Sequence, residues 1–423
     1  DFISARYGKS QSLAALVTLI AVVGVIPYVA LQLKSVSLTY ELLSGSAAHG
    51  AGLSFWQDTA LYVAMLMALF AMLFGTRTID ATEHNHGMML AVAFESVVKL
   101  LAFLAIGLFV SFGMFDGFGD LASRIQARGV VEAEAGAGSA FFTQILLGGL
   151  VIICLPRLFH AAVVENTDPS EIRTARWLYP LYLLVLGAFV WPIAAAGLVC
   201  FAPGSVDADT FVLALPMAEG RPWLATIAFI GGFSASTSMV IVSSLALSIM
   251  VCNDAVMPLL LRWRRLGLNR RKDLGPLVLW VRRCAIALLL LLAYGYYRLT
   301  AEYVALASFG VLSFVAVAQF APALIGGLYW KRGSRLGAFT GMAVGFAFWI
   351  YCLLVPMLAQ AGLLPSSLLE QGLFGVDWLR PTALFGVEEL DAASHGALWS
   401  LSTNLLCYVT LSLLGRQRLI ERT

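Results

Sequence analysis

The sequence predicts an all-α polytopic membrane protein, and three observations carry that expectation. Hydrophobic residues fill 60% of the 423 positions and charged residues only 12%, half the charged share usual in a soluble domain. Ten segments are apolar and long enough to cross a hydrocarbon core of about 30 Å, which takes about 20 helical residues. Lys and Arg fall unevenly between the loops that join those segments. The mean hydropathy of +0.85 leaves no other sensible class. The net charge of +2 is uninformative by itself, because the position of each charge matters more than the sum.

In chain order the expected spans are Ser12–Leu33, Trp56–Gly75, Met88–Met114, Phe141–Leu155, Leu178–Phe201, Trp223–Val251, Leu277–Tyr297, Tyr303–Trp330, Leu336–Ala361 and Ala397–Leu414. With the N-terminus inside, twenty Lys and Arg fall in cytoplasmic loops and six in external ones, while Lys99 lies alone in mid-span. The positive-inside rule therefore puts both ends of the chain in the cytoplasm. The localisation expected is a cytoplasmic membrane. Two external loops are long: Asp116–Ala140 holds a surface helix with Leu121, Ile125, Val130 and Val131 between charges, and Gly362–Gly396 carries Trp378 as an interfacial anchor. The whole of 1–423 reads as one transmembrane domain, cut at both ends, since it opens on Asp1 and closes on Arg422-Thr423.

Three segments carry chemistry. The sixth holds seven hydroxyls: Ser234, Ser236, Thr237, Ser238, Ser243, Ser244 and Ser248. Hydroxyls in hydrocarbon are useful against another helix, along a wet cavity or around an ion. The fourth has Gly148-Gly149 in mid-span and Pro156 seven residues later. That pattern favours a broken helix, whose freed backbone groups can hold ions and substrates, although a kink that only packs gives the same signal. In the third, Glu95 and Lys99 stand at i and i+4 deep in an apolar stretch. Charges at that depth point to function, and the alternative is a self-neutralised pair in the favourable Glu-then-Lys order.

Other candidates fall away. The six cysteines have no metal-type spacing and read as buried thiols. Asp80 and Glu83 have capping-box spacing. Glu83-His84-Asn85-His86 lacks a helical His pair and reads as a solvated loop. The basic Arg262–Arg283 cluster lies between spans, so it marks the cytoplasmic side, touching anionic lipid rather than nucleic acid. No nucleophile–base pair, phosphate loop or metal motif supports an enzyme, and no cofactor is expected beyond a coupling ion.

The run Pro322-Ala323-Leu324-Ile325-Gly326-Gly327-Leu328-Tyr329-Trp330-Lys331-Arg332, followed by Gly337-Ala338 and Gly341, strongly resembles the sodium/solute symporter family. Tyr28–Lys34 and Gly75-Thr76-Arg77 through Thr82-Glu83 agree with it. More narrowly, Phe74–His84 and Phe94-Glu95-Ser96-Val97-Val98-Lys99-Leu100-Leu101 look like the symporter module fused to sensor histidine kinases of the CbrA type.

The resemblance implies a five-plus-five inverted repeat of the LeuT class. The ten spans would be core helices three to ten plus two more, with three N-terminal helices missing and the fourth span falling on the broken sixth core helix. It implies cation-coupled transport, by Na⁺ or H⁺, of a small polar solute such as an amino acid, histidine included. A cytoplasmic kinase would follow in cis. A non-transporting receptor for the same solute is the alternative. In that family the sodium sits between the first core helix and adjacent hydroxyls of the eighth. The closest superposition puts Ser234 at one hydroxyl position and Phe233 at the other, with Ser238 one turn on. A phenyl ring is no ligand for a hard cation, so the Lys99 ammonium is expected to occupy or border that site. Substrate contacts are expected from Gln32, Gly148, Gly149, Phe159 and Gln319.

Overall fold

The protein is described by a computed structural model over residues 2–45, 55–76, 86–129, 137–263, 273–300 and 306–415. All regular structure among the described residues is helical. A short α1 (Phe2–Arg6) leads into α2 (Gln11–Ser44), whose first turn is capped by Ser10 Oγ accepting from the Leu13 amide at 3.3 Å. At 34 residues α2 overruns the expected Ser12–Leu33. Its extension keeps a protein-facing side, with Val36, Ser37, Leu38 and Glu41 all buried, so packing rather than lipid thickness sets its end.

Next come α3 (Thr59–Gly75), α4 (His86–Leu108) with a wide π-helical turn over Phe109–Met114, and the surface helix α5 (Phe118–Arg128). α6 (Ala137–Cys154) and α7 (Pro156–Phe159, continued by a wide turn over His160–Val164) form one span bent by 49°. They are followed by α8 (Glu171–Cys200), α9 (Phe211–Ala218), α10 (Pro222–Met250), α11 (Met257–Arg262) and α12 (Gly275–Thr300). The last are α13 (Leu306–Ala318), α14 (Ala321–Tyr329), α15 (Arg335–Trp349), α16 (Val355–Gln360), α17 (Ser367–Gln371) and α18 (Ala392–Leu414). Among the described residues eight helical runs are long and apolar enough to cross a membrane, and the bent α6–α7 pair makes a ninth. The remaining expected span is α3, apolar but only 17 residues long. This is a multi-pass membrane protein.

The helices approach closely where side chains vanish. A methyl group on Gly24 of α2 would stand 2.6 Å from Ala316 Cβ of α13, and one on Gly231 of α10 would stand 2.5 Å from Ala102 Cβ of α4. α15 meets α18 through Gly337, Gly341 and Gly345, one turn apart, whose absent side chains would collide with Ser412, Asn404 and Gln319. Small residues at helical spacing replace the hydrophobic effect, which lipid cannot supply between helices, with van der Waals contact. Just before this stripe, the Trp330-Lys331-Arg332 turn is held by Tyr408. Its ring meets Trp330 edge-on at 5.5 Å, and its hydroxyl hydrogen-bonds that of Tyr7 at 2.7 Å. Tyr7 also donates to the Ala323 carbonyl at 2.8 Å.

Two apolar clusters result. The larger joins α2, α3, α10, α12, α13 and α15. The smaller gathers Ile106, Val110, Ile193 and Phe211 around Leu121 and Ile125, which explains why α5 folds back on the bundle. The rest of α5 is solvent-facing, where the Arg124 guanidinium, 2.9 Å from Asp120, holds that carboxyl below the usual carboxylate range. Val130 and Val131, the Asp80–Glu83 capping pair and the Glu83–Asn85 loop lie outside the described residues.

One expectation about the fourth span is corrected. Gly148 and Gly149 lie inside an unbroken α6, with nothing within 4 Å of the positions their side chains would take. The interruption falls at Leu155, whose backbone is extended (ψ 121°), with Pro156 opening the next arm. Two adjacent glycines leave every helical hydrogen bond intact. A proline removes one and pushes the residue before it out of the helical region. Arg157, counted above with the cytoplasmic loops, therefore belongs to the second arm of a broken span.

Candidate functional site

The hydroxyl-rich helix gives up much of its polarity to itself. Thr237 donates to the Phe233 carbonyl at 2.8 Å, Ser238 to Ala235 at 3.1 Å, Ser244 to Ile241 at 3.1 Å and Ser248 to Leu245 at 2.8 Å. Back-bonding to the preceding turn satisfies a hydroxyl in an apolar setting without any external partner. Ser243 keeps a buried Oγ that has no hydrogen-bond partner.

What α10 does contribute is a surface for α4. Gly231, Ala235 and Ser238 recur on one stripe by helical periodicity. The backbone of Lys99 passes 3.7 Å from where a side chain on Gly231 would begin. The close approach at Gly231 and Ala102 draws the two helices together, which brings the Glu95 carboxylate beside Ser238. Glu95 and Lys99 do not close an ion pair. Lys99 Nζ lies 5.6 Å from the centre of the Tyr182 ring, and Glu95 Oε2 is buried without a hydrogen-bond partner. Both sit near the middle of α4, remote from either end.

The break at Leu155-Pro156 delivers a second cation to the same place. The Arg157 guanidinium lies over the Tyr28 ring at 5.1 Å, near enough to Lys99 for the two positive charges to repel. Tyr28 is buried in the middle of α2 and donates to Met239 Sδ at 3.0 Å. Five helical elements, α2, α4, α7, α8 and α10, thus converge on one polar cluster inside an apolar bundle. Ionisable groups at that depth are costly enough to mark a functional site.

A cavity of about 250 Å³ adjoins this cluster, lined by Ser35 and Thr39 of α2, Lys99 of α4, Gly232 of α10 and Asp209 beside α9. It runs from Lys99 toward the end of the bundle that the charge count assigns to the outside. A second cavity, of about 240 Å³, lies toward the opposite end and is lined by Phe2, Pro156, Phe159, His160 and Asn253. The interruption of the α6–α7 span forms part of the wall of this second cavity, through Cys154 and Pro156.

The sequence-expected residues divide accordingly. Lys99 and Ser238 meet around Glu95. Ser234 is half-buried on a neighbouring stripe, and Phe233 turns aside to stack on Phe229 at 6.0 Å. Gln32 is buried one turn beyond Tyr28 on the same face of α2. Phe159 packs on Phe2, with ring centres 6.0 Å apart, at the wall of the second cavity. Gly148 and Gly149 are exposed on α6. Gln319 is fully buried and its amide is taken up by packing: Nε2 donates to Ser400 Oγ at 3.0 Å, and Oε1 accepts from Asn404 Nδ2 at 2.9 Å. Arg157 and Tyr28 are the residues the sequence reasoning missed. The available signal was Pro156-Arg157 followed by a further apolar run, Leu158-Phe159 and Ala161–Val164.

No protein-family model matches the chain. It is 25% identical over 249 residues to an uncharacterized symporter, YhjB, of Bacillus subtilis (strain 168). That match takes in 57% of this chain and 46% of the relative, so the chain spans about half the length of the curated relative it matches. Among solved structures it is similar to a Na⁺-coupled sialic acid symporter in a substrate-bound, outward-open state. The TM-score is 0.64 at 12% identity, over 98% of this chain and 77% of that one. At that identity the likeness shows the fold, which is the LeuT-type helical bundle. Both of these similar proteins are symporters.

Proposed function

We propose that the chain is the membrane domain of a cation-coupled secondary transporter for a small polar solute, with an amino acid such as histidine as the favoured cargo. The observation that carries this reading is the mid-bundle cluster of Glu95, Lys99, Arg157 and Tyr28 at the interrupted α6–α7 span. Transporters hold substrates and ions at such interruptions near the bilayer midplane. Both ends of the chain are proposed to lie in the cytoplasm of a bacterial cell.

The coupling ion is Na⁺ or H⁺. Na⁺ is supported by the coupling of the structural neighbour. H⁺ is supported by the Lys99 ammonium and the Glu95 carboxylate of α4, which lie against the α10 stripe where a bare cation would otherwise be needed. The resemblance of Phe94–Leu101 to kinase-fused symporter modules supports a role as the input domain of a sensor histidine kinase. A receptor that senses its solute without moving it is the second reading, favoured by the Lys99 side chain, a cation tethered to the chain that can take the place of an exchangeable ion.

The test is uptake of labelled amino acids by the full-length protein in proteoliposomes, with Na⁺ and pH gradients imposed separately. Accumulation driven by one gradient supports transport and names the ion. Solute binding without accumulation under either gradient replaces the transporter by the receptor.

A further inference from the structure

Within the cluster the charges do not balance. Arg157 and Lys99 supply two cations against the single carboxylate of Glu95. Among the described residues no carboxylate comes within 4 Å of the Arg157 guanidinium, and its Nε is buried without a hydrogen-bond partner. It lies over the face of Tyr28, whose hydroxyl is already directed at Met239. The next acid along the chain, Glu165, is engaged by His160 at 3.2 Å. A guanidinium in an apolar bundle with a buried open donor needs an acceptor. A planar fork of donors fits a carboxylate in a way that an ammonium or a hydroxyl does not.

We infer that this is an anion subsite: Arg157, with its buried unpartnered Nε over the Tyr28 ring, holds the carboxylate of the transported solute at the interruption of the α6–α7 span, with Lys99 as the second cation of the cluster. The inference deepens the transport reading and rests on it for the word transported, while binding can be measured without it. The subsite selects against amines that lack an acid group, which would add a third positive charge. It also selects against neutral sugars, which would leave the guanidinium unpaired. The 250 Å³ cavity beside Lys99 gives room for the remainder of a small solute.

The experiment is thermostabilisation and equilibrium binding on purified full-length protein. Solutes are offered in pairs that differ only in the acid group: L-histidine against histamine, L-proline against pyrrolidine and L-alanine against ethylamine, with glucose as the neutral arm and chloride as the inorganic one. The expected result is binding confined to carboxylates, weakened about 30-fold or more by Arg157→Gln, with the ligand-free melting temperature retained. Should Arg157→Gln fail to fold, Arg157→Lys keeps the charge and loses the fork, and a roughly tenfold weakening is expected.

Equal binding of both members of a pair overturns the inference, as does undiminished binding in the folded Arg157 variants. Saturation by chloride alone at the same affinity also overturns it, leaving a counter-ion site. Uptake of glucose in proteoliposomes would overturn the carboxylate and leave transport standing. Carboxylate binding without uptake would do the reverse.

Discussion

Replacing Gly345 by Ala tests whether the α15–α18 contact is as tight as its geometry states. The added methyl would stand 2.6 Å from Asn404 Cβ and 2.9 Å from the Ser400 carbonyl oxygen, and closer still to Gln319 Oε1. Ordinary contact begins near 3.4 Å, so the helices must part locally by about 1 Å or the amides must turn away. Overpacking of this kind costs ~1–3 kcal/mol. Turning Gln319 away also loses its hydrogen bond from Asn404, worth ~0.6–2 kcal/mol between membrane helices. The expected loss is therefore about 2–5 kcal/mol. Gly187→Ala on α8 is the reference, because nothing lies within 4 Å of that position and helix propensity alone favours Ala by up to ~1 kcal/mol. Reversible unfolding of the protein in lipid bicelles, titrated with SDS and followed by tryptophan fluorescence, gives both free energies. If Gly345→Ala falls within about 0.5 kcal/mol of Gly187→Ala, the close contact and the packing role given to Gln319 are both wrong.

Four further outcomes are expected. Lys99→Met should change the ion dependence of uptake, and Na⁺ dependence that survives with unchanged affinity would remove Lys99 from the cation site. Pro156→Ala should let α6 run on through Leu155. Straightening a 49° bend over the second arm, nine residues long as Pro156–Val164, would carry Val164 by up to ~10 Å at a rise of ~1.5 Å per residue. Spin labels at Val164 and Leu259 would register that movement, and an unchanged distance would show that the bend has another cause. Tyr408→Phe removes the hydroxyl that meets Tyr7 at 2.7 Å and should cost about 1 kcal/mol in the same unfolding assay; no loss would mean that the Trp330 turn is held by ring contact alone. Asp58→Ala strips the α3 cap and the acceptor of Tyr294 at 2.8 Å and Arg298 at 3.2 Å. A loss of about 2–3 kcal/mol is expected, and a loss no larger than that of an isolated cap would show the Tyr294 and Arg298 contacts to be idle.

The sequence by itself determined that this chain is a bundle of membrane helices, because each span is a local property. About twenty apolar residues suffice to cross the hydrocarbon wherever their neighbours lie, and the helices stand at all ten expected positions. It also marked Glu95, Lys99 and the hydroxyl-rich α10, since charge and hydroxyls in hydrocarbon stand out residue by residue. Only the tertiary structure decided what those groups meet. Whether a hydroxyl serves an ion or its own helix depends on rotamer and neighbour, and four of the α10 hydroxyls serve the helix. Gln319 looked like a pocket residue because nothing in the sequence places Ser400 and Asn404, some eighty residues later, within its reach. Arg157 looked like a loop charge because a span counted by hydropathy ends at the proline. The structure carries the chain through the break, and so turns an apparent cytoplasmic anchor into a cation lying over the ring of Tyr28 inside the bundle.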